Sequence, residues 1–484
     1  MTFNSFEFLL FYPLIALAYF LFPRSCKMPL LLLGSYFFYG YYQPYLLILI
    51  VATTAVSYFA SWIISVSKSP AIRKLALAVT LVITLGVLFF FKYFNFFMEC
   101  IFGVINLFGA DAGNLSLSII LPVGISFYTF QTLSYVIDVY RGDVEREKSF
   151  ICYATFVSYF PQLVAGPIER PGNLIPQLKS EHRFNSSDFK IGSRVTLLGF
   201  FKKICVADVF AQYVNKIFND PQNATGLGVV IAVLMFSVQI YCDFSGYTDI
   251  ATGCARIMGI KLCKNFDRPY SSSSIKEFWS RWHISLSSWL KDYLYIPLGG
   301  SRVRLPRYCL NLIIVFLASG LWHGANYTFV LWGLLHGVYQ VVGVLTKDAR
   351  ARIIAKCNKS EDDASVRAVR TVITFALVCF SWLVFRANSL SDIALLLTRP
   401  FTNGGIAATF EYMNIGVFEG LIIVLSFAVM LMLDRALSRT DDASLNEPSI
   451  TDKGGFIYVI WVVLFAWIML IAKDMISSFI YFQF

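Results

Sequence analysis

From Tyr308 to Thr346 this chain has no Asp, Glu, Lys or Arg. A stretch so long and so apolar constrains the fold more than any other feature, because about 20 apolar residues are what an α-helix needs to cross a bilayer. Comparable stretches run over 6–22, 28–42, 44–66, 75–97, 112–137, 194–212, 224–242, 308–323, 326–346, 369–385, 414–433 and 456–472. They predict about eleven transmembrane helices. A transmembrane β-barrel would show shorter segments of alternating hydrophobicity. With 57% hydrophobic and 14% charged residues, against about 25% charged in soluble domains, the chain reads as an all-α polytopic membrane protein, a single transmembrane domain over 1–484.

The net charge of +10 follows topology and gives no reason to expect nucleic acid. Its basic residues gather in short loops, where Lys and Arg favour the cytoplasmic side. The segment 261–307 holds nine Lys/Arg against three acids, and the charged loop 347–370 holds seven against four. Both are expected on the cytoplasmic face, with the N-terminus outward. The N-terminal "MTFNSFEFLLFYPLIALAYFLF" has no basic n-region and no small-residue cleavage pattern, so it reads as a retained first span. The acidic, Ser-rich stretch within 436–454 reads as a linker. Within 151–168, Pro161, Gly166 and Pro167 break any continuous helix, and such a re-entrant element survives at membrane depth only where protein or a cavity satisfies its backbone. Ten cysteines without a C-x-x-C pair indicate neither a disulfide framework nor a metal site. No P-loop, G-x-S-x-G or H-E-x-x-H is present, so nucleotide binding and hydrolysis lack support.

Three stretches can carry chemistry. In "LWHGANYTFVLWGLLHG", His323 lies sixteen residues beyond Arg307, about 24 Å along a helix and past the middle of a core about 30 Å thick. Gly324-Ala325-Asn326 is a plausible break that would open the site to water, with Asn326 near enough to orient the ring. His336 would lie about 20 Å further on if the helix were unbroken, and reads as structural or interfacial. In "RPYSSSSIKEFWSRWHISLSSWLKDYLYIPLGGSR", a basic amphipathic helix is expected over about 275–294 in the cytoplasmic interface. There His283, flanked by Trp279 and Trp282, faces the apolar border where an acyl chain or pantetheine arm can enter, and Arg281 and Lys276 suit phosphates or lipid headgroups equally. In "QIYCDFSGYTDIATG", Asp243 and Asp249 end an apolar run. A helix break at Gly246 would let Tyr241, Ser245 or Tyr247 satisfy the acids as a buried polar network. For each stretch a packing role fits the same residues, although ionisable groups at membrane depth are functional candidates by default.

Taken in order, "FNSFEFLLFYPL", "LPVGISFYTFQTLSYVIDVYRG", "LVAGPIERPGNLIPQL", these three stretches and "FSWLVFRANSLSDIA" resemble the membrane-bound O-acyltransferase (MBOAT) family, in its bacterial branch around polysaccharide O-acetylation and teichoic-acid D-alanylation. The resemblance implies a ring of spans with re-entrant and interfacial helices around a central tunnel. His323 would be the invariant family histidine and His283 the second functional one, with Trp279, Arg281, Trp282, Trp322 and Asn326 lining the tunnel or positioning the donor. It also implies an acyl group, acetyl foremost, taken from a cytosolic thioester such as acetyl-CoA, with no covalently bound cofactor. Transfer would run across the bacterial plasma membrane, through an exported serine-esterase-like partner, to an alginate-like or other polysaccharide. D-alanyl transfer to teichoic acid and peptidoglycan O-acetylation are family alternatives. A glycan or lipid transporter without chemistry is the rival from another class.

Overall fold

The computed structural model describes residues 1–108, 116–401, 405–438 and 456–471. Most of the expected 436–454 linker and the first residues of the 112–137 stretch lie outside them. Helices dominate, and seven among the described residues are long and apolar enough to cross a membrane. The expected eleven is not reached by that measure: Pro70–Leu107 forms one 38-residue helical stretch, and Phe6–Leu21 and Trp461–Ile471 are apolar but shorter. The chain divides into two compact units, Met1–Thr196 with Ile250–Cys263, and Leu197–Asp249 with Lys264–Phe484.

In the first unit, the 151–168 stretch is broken into helices Phe150–Ser158 and Phe160–Leu163. The backbone groups freed at the break are met by protein, as a low-dielectric setting demands. Ser35 Oγ accepts from Phe160 N at 3.1 Å, and Gln162 Nε2 donates to Phe156 O at 2.6 Å. Small polar residues let neighbouring helices approach: Thr54 and Ser57 on Leu47–Val66 return their hydroxyls to carbonyls four residues back. Tyr153 Oη then donates to Ser57 Oγ at 2.7 Å. Hydroxyls used in this way join helices without leaving a polar group bare.

The second unit is built around an antiparallel hairpin, Leu305–His323 and Tyr327–Leu345, packed against Ala364–Arg386. Glycines form its seam. A Cβ on Gly320 would lie 2.2 Å from Phe329 O, and one on Gly333 would lie 2.4 Å from Phe316 O, so only glycine lets these backbones come so close. Asn326 makes the turn possible as the N-cap of the second helix. Its Oδ1 accepts from Thr328 N at 3.0 Å and its Nδ2 donates to Asn388 O at 3.2 Å. The side chain expected to orient His323 is thus engaged in starting the second helix and in holding the backbone of Asn388.

Candidate active site

The helix expected over 275–294 is interrupted at its most interesting residue. Ile275–Arg281 ends, His283 sits at φ 44° and ψ 54°, and a new helix runs Ile284–Leu290. This left-handed conformation is costly for a residue with a Cβ, by about 1–2 kcal/mol, and persists only where surrounding structure imposes it. Here a strap of residues 265–267 imposes it. Phe266 and Trp282 form an isolated antiparallel bridge, Asp267 N donates to Arg281 O, and Ile284 N donates to Asn265 O at 3.0 Å. Asn265 Oδ1 also accepts from Ser285 N at 3.2 Å and from Ser285 Oγ at 2.6 Å. His283 is consequently fully buried, not at the border of an interfacial helix. Burial pushes its imidazole down to about 3, so the ring is neutral at any working pH.

His283 and His323 meet on one side chain. Trp322 packs edge-on to both, with ring centroids 5.5 Å from His283 and 5.0 Å from His323. Phe244 closes on His283 at 4.7 Å. Trp332 and Phe385 close on His323 at 5.0 and 5.3 Å. Where the sequence suggested a site open to water, His323 is 3% exposed.

The hairpin also brings His336 back toward His323, since Trp332 touches both, lying 4.8 Å from His336. The separation of about 20 Å expected of an unbroken helix is lost at the Gly324–Asn326 turn. His336 Nδ1 accepts from Trp279 Nε1 at 3.2 Å. Its Nε2 lies 3.0 Å from Ser381 Oγ, whose own hydrogen goes to Val378 O, so Nε2 carries the proton. Both nitrogens are spoken for, in keeping with the structural role read from sequence.

The remaining sequence candidates divide. Trp282 is fully buried, stacked on Phe278 at 5.5 Å and against Trp382 at 5.0 Å. Arg281 pairs with Glu277 at 2.8 Å and donates to Ser271 Oγ at 3.2 Å, so its guanidinium already has protein partners. The acids of 239–253 depart most from expectation. Helix Gly226–Ile257 is continuous through Gly246, and that glycine instead admits another backbone: a Cβ there would lie 2.8 Å from Gly199 O. The approaching π-helical segment Phe201–Asp208 delivers two lysines. Lys203 Nζ lies 2.5 Å from Asp243 and 2.8 Å from Asp208. Lys202 Nζ lies 2.9 Å from both Asp249 and Asp434. Tyr241 Oη donates to Asp434 at 2.8 Å, not to Asp243 or Asp249. Cations, more than the expected hydroxyls, offset the burial of these carboxylates.

A buried two-histidine cluster in a multi-helix membrane protein narrows the comparison with known proteins. Residues 144–385 match the membrane-bound O-acyltransferase family. The chain belongs to this family. Among MBOAT relatives, it is 41% identical to the "probable alginate O-acetylase AlgI" of Azotobacter vinelandii over 81% of this chain and 76% of that protein. It is 34% identical to the peptidoglycan O-acetyltransferase of Helicobacter pylori over 82% and 79%. The teichoic acid D-alanyltransferase of Bacillus subtilis is 27% identical over 54% and 68%. This MBOAT is therefore a multi-pass membrane enzyme, an O-acyltransferase that works on an acyl donor.

Sequence reasoning missed Phe244, Trp332 and Phe385, which pack on the MBOAT histidines, Asn265 of the strap, and, apart from them, the lysines of the ion network. The "NF" pair at 265–266, two residues before Arg268 in a motif already singled out, was the signal available for the strap. Lys202-Lys203 inside the apolar run 194–212 was the signal for the cations.

Proposed function

We propose that this enzyme moves an acetyl group from a cytosolic thioester, acetyl-CoA or a similar donor, across the bacterial inner membrane for O-acetylation of an extracytoplasmic polysaccharide. The observation that carries the catalytic assignment is the pair of histidines on Trp322: His283 and His323 come from separate sequence motifs, and both pack against one indole. His323 acts as general base. Its neutral imidazole takes the proton of the acceptor hydroxyl as that oxygen bonds to the thioester carbonyl carbon; the C–S bond then breaks and the departing thiolate takes a proton. Base catalysis of this kind contributes about 10²–10⁴-fold. His283, with Phe244 and Trp322 packed against it, positions the thioester.

Relatives 34–41% identical that are named for O-acetylation support acetyl over D-alanyl as the transferred group. The acceptor is an alginate-like exopolysaccharide, reached through an exported serine-esterase-like partner that takes the acetyl group outside. Basic segments 261–307 and 347–370 support a cytoplasmic placement for both and an outward N-terminus.

The test is His323→Gln in the full chain, purified in lipid nanodiscs and supplied with acetyl-CoA and a hydroxyl-bearing polysaccharide acceptor. Alanine is the poorer choice, since the ring fills space between Trp322, Trp332 and Phe385 and a cavity there would destabilise the protein by itself. Thiol release should fall at least 100-fold with thermal stability near wild type. Release that survives the substitution, or is lost together with stability, would count against His323 as the base.

A further inference from the structure

The motif "FSWLVFRANSLSDIA" holds a charge that the acyl-transfer reading does not use. Arg386 is the last residue of the helix Ala364–Arg386 and is 8% exposed. A buried cation ordinarily needs a carboxylate, yet none pairs with this one among the described residues, and its hydrogen bonds go to asparagine side chains. Nη1 donates to Asn388 Oδ1 at 3.3 Å, and Nη2 donates to Asn215 Oδ1 at 2.7 Å and to Asn219 Oδ1 at 3.5 Å. The negative poles of helix C-termini offset the charge instead: Arg386 ends its own helix and lies beside the end of Val209–Phe218. Its Cζ is also 5.5 Å from the centre of the Phe218 ring, within cation–π range. An apolar side chain would fill such a place at lower cost, so packing alone does not account for an arginine.

The tie that this charge secures runs to His323. Asn388 Nδ2 donates to Phe218 O at 3.2 Å, and Asn388 O accepts from Asn326 Nδ2 at 3.2 Å. Asn326 closes the turn that begins directly after His323. Phe385, the residue before Arg386, packs on His323 at 5.3 Å and on Phe329 at 4.9 Å. Phe329 lies against the same turn, so close that a Cβ on Gly324 would be 2.2 Å from its ring. The turn that follows His323 and an aromatic ring packed on it are thus both held to Val209–Phe218 through one guanidinium. A planar fork with several donors can do this from one position, whereas a lysine offers a point charge.

We propose that Arg386 is a positioning residue for His323, fixing the imidazole at the reacting centre without touching substrate. The inference rests on the acyl-transfer reading above, in which His323 is the base, and assigns to that base the support that holds its geometry. A base displaced by about 1 Å loses about 100-fold in rate, while binding of the donor, made by other groups, is unaffected.

The experiment follows the ring and the reaction separately, on the full chain in nanodiscs. Histidine labelled with carbon-13 at Cε1 gives few signals, because the chain has four histidines, and His323→Gln identifies the signal of His323. Thiol release is measured with acetyl-CoA and a hydroxyl-bearing polysaccharide acceptor. Arg386→Met should move or split the His323 signal and leave that of His182, in the other unit, in place. It should lower kcat at least about tenfold with KM for acetyl-CoA within about twofold of wild type. Asn388→Ala, which cuts the link to the turn but leaves Arg386 bonded to Asn215, should act in the same direction to a smaller degree, and decides the matter where Arg386→Met does not fold. In the His323→Gln background, Arg386→Met should change the residual rate by less than about twofold, because no base is left to position. An unmoved His323 signal, or equal rate losses in the two backgrounds, overturns the assignment. A moved signal with thiol release unaltered in both Arg386→Met and His323→Gln supports the positioning and sinks His323 as the base instead.

Discussion

Replacing Asn265 with alanine tests whether the left-handed turn at His283 serves catalysis or only packing. The substitution deletes one oxygen that accepts from Ser285 N at 3.2 Å and Ser285 Oγ at 2.6 Å. Both residues are buried, at 1% and 3% exposure, so each stranded donor costs about 1–3 kcal/mol. The two share one partner and do not add fully, which gives about 2–4 kcal/mol of destabilisation. The released turn can also relax the strain of about 1–2 kcal/mol at His283, and relaxation moves the imidazole. A shift of about 1 Å at a reacting centre costs about 100-fold in rate. The companion Ser285→Ala removes the hydroxyl alone and leaves the backbone bond to Asn265 intact, for about 1 kcal/mol and no more than a few-fold in rate. The assay is thermal unfolding in nanodiscs alongside acetyl-CoA thiol release, with kcat and KM resolved. Asn265→Ala should lose about 100-fold in kcat with a folded population still measurable. Turnover near wild type despite a clear drop in stability would show that the strap only packs the turn.

Three further outcomes follow from the same geometry. Asn tolerates positive φ better than most residues, so His283→Asn should unfold within about 1 kcal/mol of wild type yet release thiol at least tenfold more slowly; unaltered kinetics would remove His283 from the site. Lys203→Met strands Asp208 and Asp243 in a buried setting and should cost about 3–5 kcal/mol, seen as loss of monodisperse protein on size exclusion, whereas Arg183→Met, at an ion pair with Glu181 whose two side chains are 87% and 44% exposed, should cost under about 1 kcal/mol. The pH dependence of stability has a definite sign. His283 is held down to about 3 against about 6.5 in the unfolded chain, so between those values the unfolded chain binds a proton that the folded one does not. Stability should fall as pH drops below about 6.5, and His283→Asn should flatten that part of a thermal-midpoint profile.

Much of this protein is decided by one-dimensional pattern. Charge-free runs such as Tyr308–Thr346 leave no structure but helices in a bilayer, because every backbone group must find its partner within the segment. Pro161, Gly166 and Pro167 likewise announce the break in the 151–168 stretch. The histidine motifs were also legible, since an imidazole in an apolar run stands out from any composition. Packing decided the rest, because it joins residues far apart in the chain and periodicity carries no information about such pairs. A helix over 275–294 satisfies the amphipathic pattern, yet the strap at 265–267 supplies hydrogen bonds that compensate for breaking it and turns His283 inward. Asp243 and Asp249 were visible as buried acids, but Lys202 and Lys203 reach them only because Gly246 admits a second backbone. The absence of a Cβ at Gly320 and at Gly333 lets the hairpin close tightly enough for Trp332 to touch both His323 and His336. Sequence by itself determined that the chain enters the membrane as helices and that His323 and His336 lie in an apolar run; only the tertiary structure buried His283 and set it with His323 on Trp322, since that contact is a product of helix-to-helix approach and not of any local preference.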